Sequence, residues 1–565
     1  MRHFYIVCVF MLLLPCCTFA QRFMVDSICY NVTSEQELTC EVTFHDNGEG
    51  RATRDFYKDV VFVPDSVSYN GKEYRVTAIG DDAFGRSNEL LSVVLPNSIV
   101  SIKNSAFSWC PKFKSITIPA SVEFINNWAF ISMPSLSYIN VEEGNPVFDS
   151  REGCNAIIRT KTNKLLVGCK NTIIPDGIKV ISDGAFISCF AMPQEIKPFG
   201  VVIPKSVEVI EKQAFTGCRA LESVTLNEGL KKIGYKAFNA TGIVSLTIPA
   251  SVTEIDEEAF RACDSLKSLK VKKGNRVYDS RGMCNAIIES ETDRLVVGCS
   301  ASTIPDGVRS IGLSAFSCSA IKQVVFPKTL EMIEANAFFD CRKLKSVVVP
   351  GNVKEIGFDA FTACAMEELV VENGVEVIGA AAFSSCSALR RAVLPASLTR
   401  IGGSLFRNCS RLEWVDLDNE NEHFYCNGYV LVDKKERTLI DGWGMDVCYA
   451  SNGYRKFTTR KIVSRAFEGH KYISTLVLPE SVEEIESKAF YSCNGLSTIE
   501  CRAVVPPLLG DDVFAAGFSS RKWALPLQER VVVVVPKGTL DAYRNAPGWK
   551  DFKHMVEINY LTYRY

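Results

Sequence analysis

The sequence predicts a mainly β solenoid of about 14–15 coils, with β-hairpin insertions and a cap at each end. Three observations support this fold class. The dipeptide Ala-Phe occurs thirteen times, mostly at intervals of 22 or 23 residues. Each interval carries the same two short apolar segments, and two longer intervals are alike in length and sequence. A repeat of this length buries its apolar face only against the next copy, so the period indicates stacked coils. The repeat phenylalanines are Phe84, Phe107, Phe130, Phe186, Phe215, Phe238, Phe260, Phe316, Phe338, Phe361, Phe383, Phe467 and Phe490, and Phe406 and Phe514 follow Leu or Val in the same slot.

One coil shows how the repeat is built. In residues 344–364, Leu344, Val347 and Val349 have the spacing of a short strand, and Pro350 ends it. A second apolar pair follows, and then the Ala-Phe dipeptide fills the interior. Burial of a large apolar side chain stabilises a fold by about 1.5–3 kcal/mol, which supports a continuous core but not an isolated coil.

Two of the longer intervals contain related insertions. Phe130 to Phe186 and Phe260 to Phe316 both span 56 residues. Each insertion has two apolar segments around a polar centre, which predicts a β-hairpin. A third, diverged version lies between Phe406 and Phe467. We therefore place hairpin insertions at about residues 144–175, 274–305 and 419–458.

The two ends differ from the repeat, as the ends of a solenoid must, because an uncapped coil exposes its core and an unpaired edge. Residues 21–75 have strand-like patterns and are predicted to form an N-terminal β cap. The solenoid then covers residues 76–500. Residues 501–565 are predicted to form a C-terminal repeat and cap, in which the run of valines at 531–535 is buried.

The first twenty residues have the pattern of a secretory signal peptide. Arg2 and His3 precede an apolar stretch, and small residues stand at positions 18 and 20 before Gln21. A lipoprotein signal is the alternative, since Cys16 and Cys17 follow the apolar stretch, but Pro15 replaces the small residue expected there. Beyond residue 20 no apolar run approaches the roughly 18 residues of a membrane-spanning helix. We therefore expect an exported bacterial protein, secreted or held at the cell surface, without a transmembrane helix.

Composition excludes several classes of function. The 63 Lys and Arg residues nearly balance the 65 Asp and Glu residues, so nothing favours nucleic acid as a partner. Four isolated histidines remain after residue 20, and no metal-ligand spacing, nucleophile elbow or phosphate-binding loop appears. The sequence predicts no cofactor, no metal site, no catalytic residues and no enzymatic activity.

The cysteines divide into two groups. In an exported chain disulfides are the first expectation, but nine cysteines lie three residues after the repeat phenylalanine and Cys318 lies two after, where a disulfide geometry between successive coils is unfavourable. These are expected to form a ladder of buried thiols: Cys110, Cys189, Cys218, Cys263, Cys318, Cys341, Cys364, Cys386, Cys409 and Cys493. Three other pairs are symmetric about predicted turns and are either disulfides or packed thiols: Cys29 with Cys40, Cys154 with Cys169, and Cys284 with Cys299.

The repeat runs from Gly-x-x-Ala-Phe through x-x-Cys-x-x-Leu-x-x-Ile-x-Ile-Pro-x-Ser-Val, as residues 106–122 and 489–496 show. It resembles the BspA-type leucine-rich repeat family, and the resemblance extends to the ending at Val535–Tyr543. Membership would imply a leucine-rich-repeat solenoid in an exported or surface-displayed bacterial protein that acts in adhesion and binding.

A candidate ligand-binding face follows from the strand pattern. Side chains two and four places beyond the leading apolar residue of a strand should point outward from the sheet. In early coils these are small and polar, as in Ser115 and Thr117, whereas later coils have valine at the fourth place. An exposed apolar ladder ending in Arg and Trp has the composition of an interaction site. The alternative is that valine simply suits a strand. The candidate residues are Gln323, Val325, Ser346, Val348, Glu368, Val370, Arg391, Val393 and Trp414.

Three functions are compatible with such a chain. The first is a non-enzymatic adhesion or recognition scaffold that binds an extracellular or host protein or glycan through its open sheet. The second is a structural spacer of the cell envelope without a specific ligand. The third, an accessory of a polysaccharide-processing enzyme, would need a module with catalytic chemistry that the sequence does not show. The expected state is a monomer.

Overall fold

The computed structural model describes residues 21–46, 53, 55–189, 199–443, 447–449, 459–470, 473–515 and 526–559. The predicted signal peptide, residues 1–20, lies outside the described residues. The chain divides into two units, Met1–Cys189 and Phe190–Tyr565. Each is a β-solenoid with almost no helix, and together they contain about 19 turns. The predicted fold class is thus confirmed.

The first unit contains strands and two short 3₁₀ helices, at Arg151–Gly153 and Thr160–Thr162. Its strands are β1 Arg22–Val25, β2 Ile28–Ser34, β3 Thr39–Thr43, β4 Lys58–Phe62, β5 Ser66–Tyr69, β6 Lys72–Ile79, β7 Glu89–Val94, β8 Ser101–Ile102, β9 Ser115–Ile118, β10 Phe124–Ile125, β11 Tyr138–Val141, β12 Phe148–Asp149, β13 Ala156–Arg159, β14 Lys164–Gly168 and β15 Val180–Ile181.

The second unit adds two short helices near its end, α1 Leu527–Arg530 and α2 Leu540–Asn545, and 3₁₀ helices at Arg281–Met283 and Trp549–Asp551. Its first strands are β16 Phe199–Ile203, β17 Val209–Ile210, β18 Leu221–Leu226, β19 Lys232–Ile233, β20 Ser245–Ile248, β21 Glu254–Ile255, β22 Ser268–Val271, β23 Tyr278–Asp279, β24 Ile287–Glu289, β25 Arg294–Val297, β26 Ser310–Ile311, β27 Met332–Ile333, β28 Ser346–Val349, β29 Glu355–Ile356 and β30 Glu368–Val371. The remaining strands are β31 Val377–Ile378, β32 Arg391–Leu394, β33 Arg400–Ile401, β34 Trp414–Leu417, β35 Phe424–Cys426, β36 Val430–Asp433, β37 Thr438–Gly442, β38 Val447–Tyr449, β39 Lys461–Ile462, β40 Thr475–Leu478, β41 Glu484–Ile485, β42 Thr498–Cys501, β43 Leu508–Leu509, β44 Val532–Pro536 and β45 His554–Ile558.

Each regular turn contributes one longer strand and one two-residue strand. The longer strands pair in parallel as open sheets: β4-β7-β9-β11 in the first unit, and β16-β18-β20-β22, β28-β30-β32-β34 and β38-β40-β42-β44-β45 in the second. The two-residue strands form a parallel ladder on the other side of each turn, as in β27-β29-β31-β33. Buried side chains from both sets fill the interior, which gives the alternating burial seen in β28.

The phenylalanine rings of the Ala-Phe dipeptides stack inside successive regular turns. The rings of Phe338 and Phe361 lie 5.0 Å apart at an interplanar angle of 3°. The backbone N–H of Phe338 donates to the carbonyl oxygen of Ala360 in the next turn, over 2.7 Å. Stacked rings and a repeated backbone hydrogen bond therefore fix the register between turns.

The hairpins account for the difference between the 14–15 coils expected and the roughly 19 turns observed. In each hairpin the second arm pairs in parallel with a two-residue strand: β14 with β15, β25 with β26, and β37 with β39. That arm thus takes the place of a turn in the ladder. In the N-terminal region β3 and β6 also join the ladder, since β3 pairs with β6 and β6 with β8.

A glycine ends each second arm in the slot that phenylalanine holds elsewhere. The N–H of Gly298 donates to the carbonyl oxygen of Ala315, as a repeat phenylalanine would. A Cβ atom at Gly298 would lie 2.1 Å from the ring of Phe316, and Gly168 and Gly442 have the same relation to Phe186 and Phe467. The next ring of the stack therefore occupies the space left by the missing side chain.

Both regions predicted as caps contain sheet strands. Strands β1, β2 and β3 pair antiparallel, and β5 pairs antiparallel with β6. At the other end β44 lies between β42 and β45. Of the five valines, Val531, Val533 and Val535 are fully buried, and Val532 and Val534 are half-buried. The valine run is therefore a sheet strand with one face in the core.

The cysteine ladder is present as buried thiols except at Cys318, which is only half-buried because it stands one position earlier in its turn. Seven ladder thiols donate to the carbonyl oxygen of the repeat phenylalanine one turn earlier, over 3.0–3.2 Å: Cys110, Cys263, Cys341, Cys364, Cys386, Cys409 and Cys493. Burial raises the pKa of Cys110 to about 12. These thiols therefore satisfy backbone carbonyl oxygens inside the solenoid.

The six cysteines of the three pairs that are symmetric about predicted turns are also free thiols. In the β2–β3 pair Cys29 lies opposite Thr43, whereas Cys40 lies opposite Val32. In the first two hairpins the register is offset, and the thiols of Cys169 and Cys299 point to the carbonyl oxygens of Asn155 and Asn285. Of the two alternatives, the structure has packed thiols, because the strand register sets each pair apart.

His470 stands at the cysteine position of its turn and makes the protein sensitive to acid. Its side chain is buried, and its Nε2 atom has no hydrogen-bond partner among the described residues. Burial lowers the pKa of His470 from 6.5 to about 4. The unfolded chain therefore takes up this proton at higher pH than the folded chain, so stability is lost as the pH falls from 6.5 to 4.

We expect His470→Cys to restore the ladder and to remove this loss, because the thiol would donate to Gly442 as Cys189 donates to Gly168 over 3.4 Å. Relative to the natural chain, its free energy of unfolding should improve by up to about 3 kcal/mol between pH 6.5 and pH 4. Urea denaturation across this range measures the change. The exposed His423→Gln substitution is the control. An equal pH profile for His470→Cys and the natural chain would show that His470 does not titrate on unfolding.

Candidate ligand-binding face

The predicted face lies on the open sheet β28-β30-β32-β34, where the register aligns it in two columns. Ser346, Glu368, Arg391 and Trp414 are successive partners in the first column. In the second column the partners are Val348, Val370, Val393 and Asp416. We call these eight residues the valine face. Its side chains point away from the core because Val347, Leu369, Ala392 and Val415, which alternate with them, are buried.

Exposure differs along the valine column. Val348 is 51% exposed, whereas Val370 and Val393 are half-buried. The column therefore presents a shallow apolar strip. The structure does not extend this strip as a sheet to Gln323 and Val325, which the sequence places in an earlier strand.

Gln323 and Val325 belong to a turn that forms no strand, although Val325 is 80% exposed. The preceding longer strand, β22, contacts the second hairpin through β23 and β24. A strand at residues 321–327 would therefore lack a regular neighbour on that side. The prediction that these two residues continue the sheet is wrong for this reason.

Two ion pairs join neighbouring turns at the valine face. Arg391 forms an ion pair with Asp416 at 3.1 Å, and beside it Arg390 pairs with Glu413 at 2.9 Å. All four side chains are more than half exposed, so each pair adds only about 0–1 kcal/mol to stability. The apolar strip and the exposed carboxylate of Glu368 are the features of this face that are available for contact.

Trp414 ends the first column and is positioned by the third hairpin. Its ring meets that of Tyr429 edge to face, with centroids 5.3 Å apart. A Cβ atom at Gly428 would lie 2.3 Å from the ring, so only glycine leaves room for it. Trp414 nevertheless stays 41% exposed. A rigidly held and partly exposed tryptophan is well suited to anchor a partner.

The structure has a second apolar face, which the sequence analysis does not predict. On the open sheet of the first unit, Phe62 lies opposite Val94, and both are exposed. Val60 and Tyr138 on the same sheet are also exposed. The sequence assigned residues 59–63 to the cap rather than to the sheet, which hid this face. The face is indicated in the sequence by strand alternation, which places Val60 and Phe62 on the same side of the sheet as Ser92 and Val94.

Among the described residues, no group of three or more His, Cys, Asp or Glu side chains could hold a metal ion. Within the same residues, no helix has both the length and the apolar character needed to cross a membrane.

The repeat is matched by a family model, BspA type leucine rich repeat region, in six copies over residues 72–192, 195–292, 300–429 and 453–523. The chain belongs to the BspA-type leucine-rich repeat family. No curated protein of similar sequence was found. As a family of repeat scaffolds, BspA-type proteins are generally non-enzymatic, and leucine-rich repeat domains typically mediate protein interactions.

Several solved structures resemble this BspA-type chain. A leucine-rich cell surface protein from Faecalibacterium prausnitzii is 22% identical over 71% of this chain and 95% of its own, with a TM-score of 0.43. A leucine-rich repeat protein from Bacteroides ovatus is 23% identical over 95% of this chain and 100% of its own, with a TM-score of 0.34. The pneumococcal vaccine antigen PcpA is 16% identical over 96% of this chain and 99% of its own, with a TM-score of 0.37.

Proposed function

We propose that this BspA-type protein is an exported, non-enzymatic recognition scaffold that binds an extracellular protein or glycan through the valine face. The observation that carries the proposal is the aligned column of Val348, Val370 and Val393 beside Trp414. Apolar side chains in register on an exposed sheet, next to a held tryptophan, have the composition of a binding hot spot. The family and the signal-peptide pattern of residues 1–20 support export to the cell surface.

The proposal predicts that polar substitutions on this face remove binding and leave the fold intact. In the variant Val348→Thr, Val370→Thr, Trp414→Gln, threonine keeps the β-branched shape that suits a strand. We expect binding signals of the purified chain on an array of matrix proteins and glycans to fall at least tenfold. The melting temperature should change little, because the substituted side chains lie outside the core.

The matched control lies on the other apolar face. Val94→Thr in the first unit should leave the array signals unchanged, although it removes an equally exposed valine. Binding that survives the triple variant, or that Val94→Thr abolishes, would contradict the assignment of the face. A natural chain that binds nothing selectively would instead favour the envelope spacer.

A further inference from the structure

A cleft of about 630 Å³ opens in the second unit, lined by residues that do not belong to the valine face. Its lining comes from the loops that follow successive repeat phenylalanines, including Arg219, Thr241, Asp264, Ser319 and Lys343. This volume lies within the range of ordinary ligand sites. The lining is largely polar and includes no aromatic side chain.

The cleft originates in loop length. The loops from Phe238 to Ile243 and from Phe316 to Ile321 are each one residue shorter than the loops on either side of them. The longer loops run from Phe215 to Leu221, from Phe260 to Leu266 and from Phe338 to Leu344. Short and long loops therefore alternate, and the cleft is lined by Gly242 and Ala320 of the two short loops and by Asp264 of the long loop between them.

The alternation separates charges that pair elsewhere. In this protein ion pairs commonly join neighbouring turns, as Lys231 joins Glu208 at 2.7 Å. Around the cleft, Arg219, Asp264 and Lys343 form no ion pair with any described residue. Arg219 and Lys343 lie on loops on either side of the loop that carries Asp264. The cleft thus presents two available cations on its outer walls and one available carboxylate at its centre.

Two hydroxyl groups lie beneath the cleft. Ser319 is more than nine-tenths buried, and Thr241 Oγ1 donates to the carbonyl oxygen of Phe238 over 2.9 Å. On the far wall Arg342 is already neutralised by Asp340 at 2.7 Å. Because the Oγ atom of Ser319 is enclosed by protein, the groups that a ligand can reach are the charged side chains of Arg219, Asp264 and Lys343.

We propose that this cleft binds a sugar acid, that is, a hydroxyl-bearing ring with a carboxylate, as found in acidic glycans. The ligand carboxylate would pair with Arg219 or Lys343, since charge-assisted hydrogen bonds to carboxylates are the stronger ones. Its ring hydroxyls would donate to Asp264, whose carboxylate only accepts. A neutral sugar would leave the cations unmatched, and a simple carboxylate would leave Asp264 unmatched. This site is independent of the valine face.

Titration calorimetry with the mature chain tests the proposal with four probes: glucuronate, N-acetylneuraminate, glucose and acetate. We expect at least one of the two sugar acids to bind with a Kd on the order of 1 mM. Glucose and acetate should bind at least tenfold more weakly. Equal binding of glucose or of acetate, or no binding of either sugar acid, would overturn the proposal.

Variants locate the binding in the cleft. Arg219→Gln with Lys343→Gln, and separately Asp264→Asn, should each weaken binding of the sugar acid at least tenfold. Ala320→Phe should fill part of the cleft and weaken it further. Lys345→Gln removes an exposed cation from the same turn as Lys343 but outside the cleft, and should change nothing. If Lys345→Gln weakens binding as much as the Arg219 and Lys343 double variant, the interaction is general charge attraction and the site is refuted.

Discussion

Alanine at position 298 is expected to lower the free energy of unfolding by about 3 kcal/mol or more, a large effect for a single added methyl group. The new Cβ atom would lie 2.1 Å from Cε1 of Phe316 and 2.3 Å from its Cζ. The ring cannot easily move, because it stacks on Phe338 at 4.9 Å and 7°. Either the hairpin arm or the phenylalanine stack must shift, and both lie in a close-packed core.

A double variant separates this overlap from a loss of backbone freedom. Phe316→Ala alone should cost about 3–5 kcal/mol, because it leaves a cavity. In the variant with both Gly298→Ala and Phe316→Ala, the cost should be well below the sum, because the overlap is gone. Gly403→Ala is the control, since a Cβ atom there meets nothing within 4 Å. Urea denaturation measures all four, and additive costs would show that Gly298 is not required by the ring.

The variant Asp441→Asn should gain stability relative to the natural chain as the pH rises. Asp441 is fully buried, and its carboxylate accepts the N–H groups of Phe406 over 2.6 Å and of Gly442 over 3.0 Å. Burial raises the pKa of Asp441 from 3.8 to about 7, against the opposing effect of these hydrogen bonds and of Arg407. The folded chain therefore keeps a proton that the unfolded chain releases near pH 4, so stability falls as the pH rises from about 4 to about 7.

Asparagine is neutral at all these pH values, but it keeps only one of the two oxygens that accept these N–H groups. The variant should therefore be the less stable chain near pH 4, and between pH 4 and pH 8 the difference in unfolding free energy should shift in its favour by up to about 4 kcal/mol. Urea denaturation at several pH values gives this difference directly. A difference that stays constant with pH would mean that Asp441 does not titrate between these limits. Because His470 has the opposite dependence, the two groups partly offset each other in the natural chain.

The repeat itself could be predicted from the sequence because its determinants are local and periodic. The Ala-Phe slot, the cysteine three residues later and the alternation within each strand recur at one spacing, and each position has one inward or outward direction. The columns through Val348 and Ser346 followed from this alternation alone. Pairing between strands then confirmed them without any shift of register.

The sequence predicts that the hairpins exist, but it does not predict how they join the ladder of strands. Nothing in residues 144–175 alone shows that their second arm joins the ladder, because Gly168 carries no side chain to mark the phenylalanine slot. Its role depends on Phe186 of the following turn, which supplies the ring. For the same reason the sequence predicts 14–15 coils, fewer than the roughly 19 turns of the structure.

The sequence does not predict the cleft or the missing strand at residues 321–327. The cleft depends on loops that differ by one residue, a signal visible in the spacing of Phe238 and Ile243 only once the loops are known to stack. The missing strand at residues 321–327 depends on which element lies beside β22. Both are consequences of contacts between turns rather than of the pattern within one turn.

Hydrogen exchange of the natural chain, with and without the partner that gives the strongest signal on the binding array, tests the central claim most directly. If recognition uses the valine face, bound partner should slow exchange in β28, β30, β32 and β34, and leave β7 and β9 of the first unit unchanged. Protection confined to other strands, with none in these four, would contradict the account.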